Sequence, residues 1–557
     1  MKTLALLCVT LIATTTPNDV GEKPAEPSFA NQPLSHWIKQ LKSPDPYQRI
    51  KALRAIERMG PSAKAAVPVL IEMVHDQAFR FWACVALGSI GPEAKEAIPT
   101  LLKYYPAEGF RDAGASIALE GIGAPAVPVL LKKLNDVDRE VRWSTISSLG
   151  RIGPPAKPAI PQLKKAFKDR SARVRIAAAE AAWNIDRDEA AIPILIEALS
   201  GEQSDAYSAA EALKKIGPPA RASVPALIKT VGHKDDGVRN RAVEALGAMG
   251  PAARQAVPVL MAKAGEVQQH LFSSDVVSSV SQIGSGAVPA LIESVQDQNK
   301  HKAEVAATAL GRIGPDARAA CPHLRRILDA EKCNSFRAAA ALALWRIDKS
   351  DVAVASLADL LKALDRPESL LWYQALDCLG ELGPAAKPAV AQLIKIFQNE
   401  MSYRPYVIEV LGRIGPEAKE AVPLLQPLLK DEKIDLRVAA AVALWKIARH
   451  AESVPTLTKV MLESDEGFRR AQGAEGLQEL GIGSKPAIPA LIKALEDEDT
   501  SVVNHALEAL GEHGSDAKSA IPTIIKLLPD SRLHVWESAS QALKRIDPTT
   551  ARKAGVR

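Results

Sequence analysis

The chain of 557 residues carries 70 basic and 65 acidic side chains, a formal net charge of +5, with 47% hydrophobic and only 4% aromatic residues. Charge so evenly mixed, spread through the chain and not gathered in a basic stripe or tail, argues against a surface made to neutralise nucleic-acid phosphates. The length alone suggests three or four globular domains, but a repeat runs through nearly all of it and points to one elongated domain instead.

Residues 1–17 read as a secretory signal peptide: Lys2 precedes the apolar run Leu4 to Ala13, and small and polar residues follow. The run is too short to span a bilayer, and Leu6-Leu7-Cys8 lacks the small residue that precedes the cysteine of a lipoprotein signal. Residues 18–32, rich in Pro, Glu and Ala, read as a short disordered linker. The chain is therefore expected in the periplasm or outside the cell, and in the cytoplasm only if this segment is not a signal.

From residue 33 to residue 547 one phrase recurs, seen most fully in residues 411–429, LGRIGPEAKEAVPLLQPLL. Its phase mark is a proline after a small or branched apolar residue, as at Pro33, Pro68, Pro225 and Pro522, with Ala355 and Ala391 keeping the phase where the proline is lost. Sixteen such marks between residues 33 and 522 give a period of about 33 residues. Ahead of eight of the marks a Gly-Pro such as Gly153-Pro154 stops one helix, because glycine accepts the left-handed conformation and proline cannot continue the helix. The first helix of a pair then begins with apolar residues three and four apart, such as Val422, Leu425, Leu428 and Leu429. An acidic turn follows it, with Asp45, Asp76, Asp138, Asp236, Asp431, Asp499 and Asp530 at or near the cap of the next helix. No period alternates as a strand does. The expected fold is all-α, an α-solenoid of about 16 helix pairs measuring on the order of 150 Å along its curve, with residues 548–557 as a charged tail that caps the last pair.

The pattern Asp, Val-Arg, Ala-Leu-Gly, Ile-Gly-Pro, Ala-Val-Pro, repeated from Pro33 to Ile546, resembles HEAT repeats, and more narrowly the HEAT-like repeats of phycobilisome lyases. The resemblance specifies the fold and says little about function. It implies, as one alternative, an enzyme that attaches or removes a bilin inside the cell. A hydroxylase with similar repeats, deoxyhypusine hydroxylase, implies iron held by His-Glu pairs, but none of the ten histidines here is followed by glutamate. A third alternative, nucleic-acid binding of the kind seen in HEAT-like glycosylases, predicts a steep salt dependence.

Three columns stand out in the repeat. An arginine opens most second helices, including Arg49, Arg80, Arg142, Arg175, Arg239, Arg337, Arg404, Arg437 and Arg470. The resemblance implies that each meets a turn aspartate and so forms a ladder that fixes the stacking angle. Near the end of the same helices lies a glycine, as in Gly88, Gly150, Gly247, Gly311 and Gly412, which is costly inside a helix unless a neighbour approaches closely. In three periods that glycine becomes Trp183, Trp345 or Trp445 and the next connection is one residue shorter, so the indoles are expected in the core.

The third column consists of aromatics just after the arginines, where the helix faces the inner surface: Phe81, Trp82 and Trp143 early, and Trp372, Tyr373, Tyr403 and Tyr406 later. Exposed aromatics of this kind anchor protein interfaces. Arg239 and Arg241, with Asn240 between them, offer a polar contact between the two patches.

No HExxH helix, CxxCH haem site or Walker lysine is present, and Gly121-Ile-Gly123, Gly284-Ser-Gly286 and Gly481-Ile-Gly483 each end a helix where a dinucleotide fingerprint would need a strand before it. The cysteines beyond the signal, Cys84, Cys321, Cys333 and Cys378, fit neither a disulfide framework nor a metal site, although Cys321 and Cys333 share one period. The expected function is thus a non-catalytic scaffold, without cofactor, metal or membrane span, that binds a protein or peptide on its concave face.

Overall fold

A computed structural model describes residues 26–105, 114–266, 270–330, 335–363, 370–399, 403–530, 532 and 534–556. The chain forms sixteen helix pairs in succession, from Leu34–Gln40 with Pro46–Met59 to Ile521–Leu527 with Val535–Ile546, followed by one short helix, Pro548–Lys553. The expected solenoid is the fold. Among the described residues its strands are a two-residue pair, Ser28–Phe29 against Gln32–Pro33.

Each local device follows from its residues. Asp45, Asp138 and Asp499 cap their helices by accepting from the N–H groups of Tyr47, Glu140 and Ser501. Asp76, Asp431 and Asp530 close the turn just before the helix in the same way, on the N–H groups of Ala78, Lys433 and Arg532. In the seventh pair the cap is Asp235, which accepts from Val238, while Asp236 turns to Arg239. The helix-ending glycines take positive φ, as at Gly153 with φ 71° and ψ −142°, a region close to that reserved for glycine and outside the left-handed helical well. The chain then enters a 3-10 turn opened by the following proline.

Consecutive second helices pack on one another along their length, whereas consecutive first helices touch sparingly. A stack with one crowded layer bends toward it, so the second helices line the concave face. The glycine column permits the crowding: a Cβ at Gly150 would meet the Ala181 Cα at 3.0 Å, and one at Gly247 the Ser279 Cα at 2.7 Å. The apolar core runs without a break between the two layers through the whole array.

Where tryptophan replaces the glycine, the inner helices stand apart. The junctions that follow Trp183, Trp345 and Trp445 are among the most loosely packed of the inner layer. These helices also end differently, on a basic residue in the left-handed conformation: Arg187, Lys349 and Arg449, with φ 53°, 57° and 50°. Its N–H returns to the tryptophan carbonyl at 2.8, 3.0 and 2.9 Å. Its cation lies 5.4, 4.8 and 5.0 Å from the indole centroid, an attraction that offsets backbone strain. Trp183 is buried, and Trp345 and Trp445 are partly buried against the core.

The array closes on itself. The Ala30 N–H donates to the Ala554 carbonyl at 3.1 Å, and the Arg58 guanidinium of the first pair lies 3.9 Å above the Trp536 ring of the last. The strand pair turns through Ala30 and Asn31, both at positive φ, and presents Phe29, fully buried, to the end of the chain. Residues 26–32, expected within a disordered linker, thus form an ordered hairpin. The tail, expected as a solvated cap, is docked through Ala551, Ala554 and Val556, all buried. Both differences have one cause: two exposed solenoid ends that meet can cover each other's apolar faces. A closed ring with a contour on the order of 150 Å measures about 50 Å across its helix axes.

Candidate binding groove on the concave face

The arginine column is tied to the turns. Arg142 makes a two-pronged bond to Asp169 of the next pair, at 2.8 and 3.0 Å, and a second contact to the Asp136 and Val137 carbonyls at the end of its own outer helix. Arg470 repeats this with Asp497 and the carbonyls of Ser464 and Asp465. Arg49 meets Asp76 at 3.6 Å. Elsewhere the carbonyl half of the arrangement persists: Arg175 bonds Asp169 O, Arg239 bonds His233 O and Lys234 O, and Arg404 bonds Phe397 O. The column therefore caps outer helices at every such step and forms the expected ladder only where an aspartate is within reach. At Asp169 burial pushes the carboxyl up, but the bonds from Arg142 and the Ser171 N–H outweigh it and hold the group below its ordinary value. At Asp497 the Arg470 bond leads and the result is again a lowered carboxyl.

The predicted surface residues divide. Phe81 and Trp82 are half-buried and meet edge to face at 5.2 Å, with Arg54 stacked 4.6 Å over Trp82. Trp143 is half-buried under Arg173 at 3.7 Å. In the later patch Tyr373 packs against Tyr406 at 5.1 Å and Tyr403 at 6.3 Å; Tyr406 is exposed, whereas Tyr403 is buried at 7% exposure and is not a surface group. The Trp372 side chain lies outside the described residues, as do Phe110 and Cys333. Arg239 is buried at 8% exposure and serves its own turn. Arg241 is held by Glu211 at 2.9 Å, Glu244 at 2.6 Å and the Tyr207 hydroxyl at 2.7 Å, which knits the sixth and seventh pairs. Cys84, Cys321 and Cys378 are buried free thiols, and burial raises Cys84 to about 12. Among the described residues no group of three or more His, Cys, Asp and Glu side chains is arranged to hold a metal ion, and no single helix is long and apolar enough to cross a membrane.

Trp143 opens onto a formed cavity. The inner helices Arg139–Ile152, Ala172–Asp186 and Gln203–Ile216 enclose a concave groove of about 570 Å³. Its wall is Trp143 with Arg173, its floor Ile176 and Ala177, and its far side Asn184, Ser204, Asp205, Ser208 and Lys215. A second cavity of about 820 Å³ shares Arg173, Ser204 and Asp205 and carries the groove onto the rim, past Val137, 86% exposed. The charged groups are paired at its edges: Arg173 with Glu140 at 2.8 Å, Lys215 with Glu180 at 2.9 Å, and Arg151 with Glu120 at 2.9 Å. Burial pushes the Glu120 carboxyl up, against Arg151 and the Ser148 hydroxyl. The groove straddles the junction after Trp183, where the inner helices stand apart. The signal for it was the glycine-to-tryptophan exchange at that position, whose effect on the next helix sequence reasoning did not follow; Arg151, Asn184 and Lys215 were missed with it.

The model of HEAT repeats matches residues 34–120, 111–183, 127–214, 192–269 and 391–478, more than half of the chain. The protein belongs to the HEAT-repeat family. Importin β is similar in fold, with a TM-score of 0.53 at 13% identity over 92% of this chain and 82% of that one. Kap95p, solved with RanGDP, gives a TM-score of 0.46 at 14% identity over 93% and 77%. An engineered protein gives 0.27 at 20% identity over 75% and 98%. No curated protein matches the chain. As a HEAT-repeat solenoid it shares its fold with importin β.

Proposed function

We propose that this HEAT-repeat protein is an exported, non-catalytic scaffold that binds a peptide segment of another protein in the concave groove of its fourth to sixth pairs. The observation that carries the reading is the groove itself: an aromatic wall, an apolar floor and a rim of paired charges, opened by the tryptophan junction. An extended peptide suits it, because the floor accepts one apolar side chain while Asn184, Ser204 and Ser208 supply hydrogen bonds to a backbone. Trp143 is the expected anchor.

Selection of a random peptide library displayed on phage against the full chain tests this. An enriched peptide family whose affinity falls about tenfold or more on Trp143→Ala, a loss of about 1.4 kcal/mol, is the expected result. A family that binds Trp143→Ala as well as wild type, or no enriched family at all, rejects the groove. Export is tested separately, by the N-terminal sequence of the protein recovered from the periplasm or medium.

A further inference from the structure

The junction that closes the ring differs in kind from the junctions between consecutive pairs. Between neighbours, whole helix faces interlock; across the closure, contacts are far sparser. They include a backbone bond from Ala30 to Ala554, Phe29 against Gly555, and Arg58 on Trp536. Gly555 has φ 83°, and a Cβ there would lie 2.9 Å from the Ser28 carbonyl oxygen and 3.2 Å from the Phe29 ring, so the contact is shaped to a residue without a side chain. The hairpin is anchored on the first pair by bonds from the Leu34 N–H to Pro27 O at 2.8 Å and from the Trp37 indole to Phe29 O at 3.3 Å. It therefore leaves or joins the far end as a unit.

The closure also holds a cation in an unfavourable place. Arg58 is only 12% exposed, and its Glu57 partner stands 3.9 Å away. Burial lowers Arg58 to about 10, a fall that Glu57 opposes, Arg54 deepens and Glu537 opposes. Arg54 in turn lies over Trp82, so two neighbouring cations are flanked by two aromatics from the last pair across the closure to the second: Trp536, Arg58, Arg54, Trp82.

We propose that this junction is a latch: the hairpin of residues 28–33 releases residues 554–556 while every helix pair stays folded, and the ring opens into an arc. Release loses a few contacts and lets Arg58 return to water, whereas opening at any other junction would strip a helix face. The latch does not depend on what the groove binds, and its test reads shape alone.

Small-angle scattering and circular dichroism of the full chain, as wild type, Gly555→Val and the milder Trp536→Ala, decide the matter. Both variants are expected to keep the wild-type helical signal while the radius of gyration grows by about a quarter, as for a ring of fixed contour relaxed to three quarters of a circle. In wild type, a urea titration is expected to show the same expansion before any loss of helix. Unchanged radii in both variants would overturn the proposal. So would loss of helical signal in step with expansion, because the closure would then be part of the cooperative fold.

Discussion

The inner helix Ala172–Asp186 has two neighbours and treats them differently. Toward the fourth pair it offers Ala181 to Gly150, the helices interlock, and Arg142 reaches across to Asp169. Toward the sixth pair the glycine position is Trp183, the helices stand apart, and the column arginine, Arg175, turns back to the carbonyl of its own turn. The binding groove is lined from all three inner helices and so spans both junctions. One repeat unit thus produces either an interlocked or a loosely packed junction, according to the volume of a single side chain at the crossing.

The comparison is broken most severely by Trp183→Gly. The indole is 6% exposed, so its loss removes a large buried volume and is expected to lower stability by about 4 kcal/mol. Where the variant remains folded, the fifth and sixth pairs are expected to approach as the fourth and fifth do, and peptides selected on wild type are expected to lose binding although Trp143 is intact. Denaturant unfolding and the same peptide titration check both halves.

The closed type of junction is sharpened by comparing two of its glycines. A Cβ at Gly121 would lie 2.3 Å from the Gly88 carbonyl oxygen and 2.6 Å from its Cα, a clash with backbone that only a shift of the helices relieves. At Gly511 the nearest atom, the Ala542 Cα, is 3.2 Å away. Gly121→Ala is expected to cost about 2 kcal/mol. In Gly511→Ala the gain of roughly 1 kcal/mol in helix propensity nearly offsets a mild squeeze, leaving stability almost unchanged. Thermal unfolding of the two variants should separate them clearly.

Much of this was legible in the sequence, because a repeat states its rules many times over. The phase prolines located the pairs, the turn aspartates located the caps with a slip of one residue at Asp235, and the glycine column announced close helix approach. The three tryptophans were visible as exceptions with a shortened connection, but a basic residue in the left-handed conformation beneath the indole follows from the loop's path, not from its composition. Ring closure was hidden for a more general reason. It depends on the summed curvature of fifteen junctions, and a small change at each, invisible in any one period, decides whether Ala30 meets Ala554. For the same reason surface aromatics were legible as a class, while which of them opens onto a cavity was not: Tyr403 is buried by its neighbours, and Trp143 is exposed by a gap one pair further on.

A smaller loss than that at Gly121 is expected from the polar tie of the closed junction, and it carries a sign in pH. The carboxyl of Asp169 is held below its ordinary value of 3.8 once the bonds from Arg142 and Ser171 have outweighed burial. A carboxylate lowered in the folded state contributes stability that is present above 3.8 and is lost as pH falls through its folded value. Asp169→Asn removes the charge-assisted pair and is expected to lower stability at neutral pH by about 1.5 kcal/mol. The gap between variant and wild type should narrow below about pH 4 and largely vanish in stronger acid, since wild type then carries a neutral group as well. Asp169 does not line the groove, and the pair across the junction after Trp183, Lys215 with Glu180, is untouched by the change, so the groove is expected to keep its peptide affinity in the variant at neutral pH. Urea unfolding of both proteins across the acid range, with peptide titration at neutral pH, gives the two readings. A gap that stayed constant with pH would remove Asp169 from the account of why these two junctions differ.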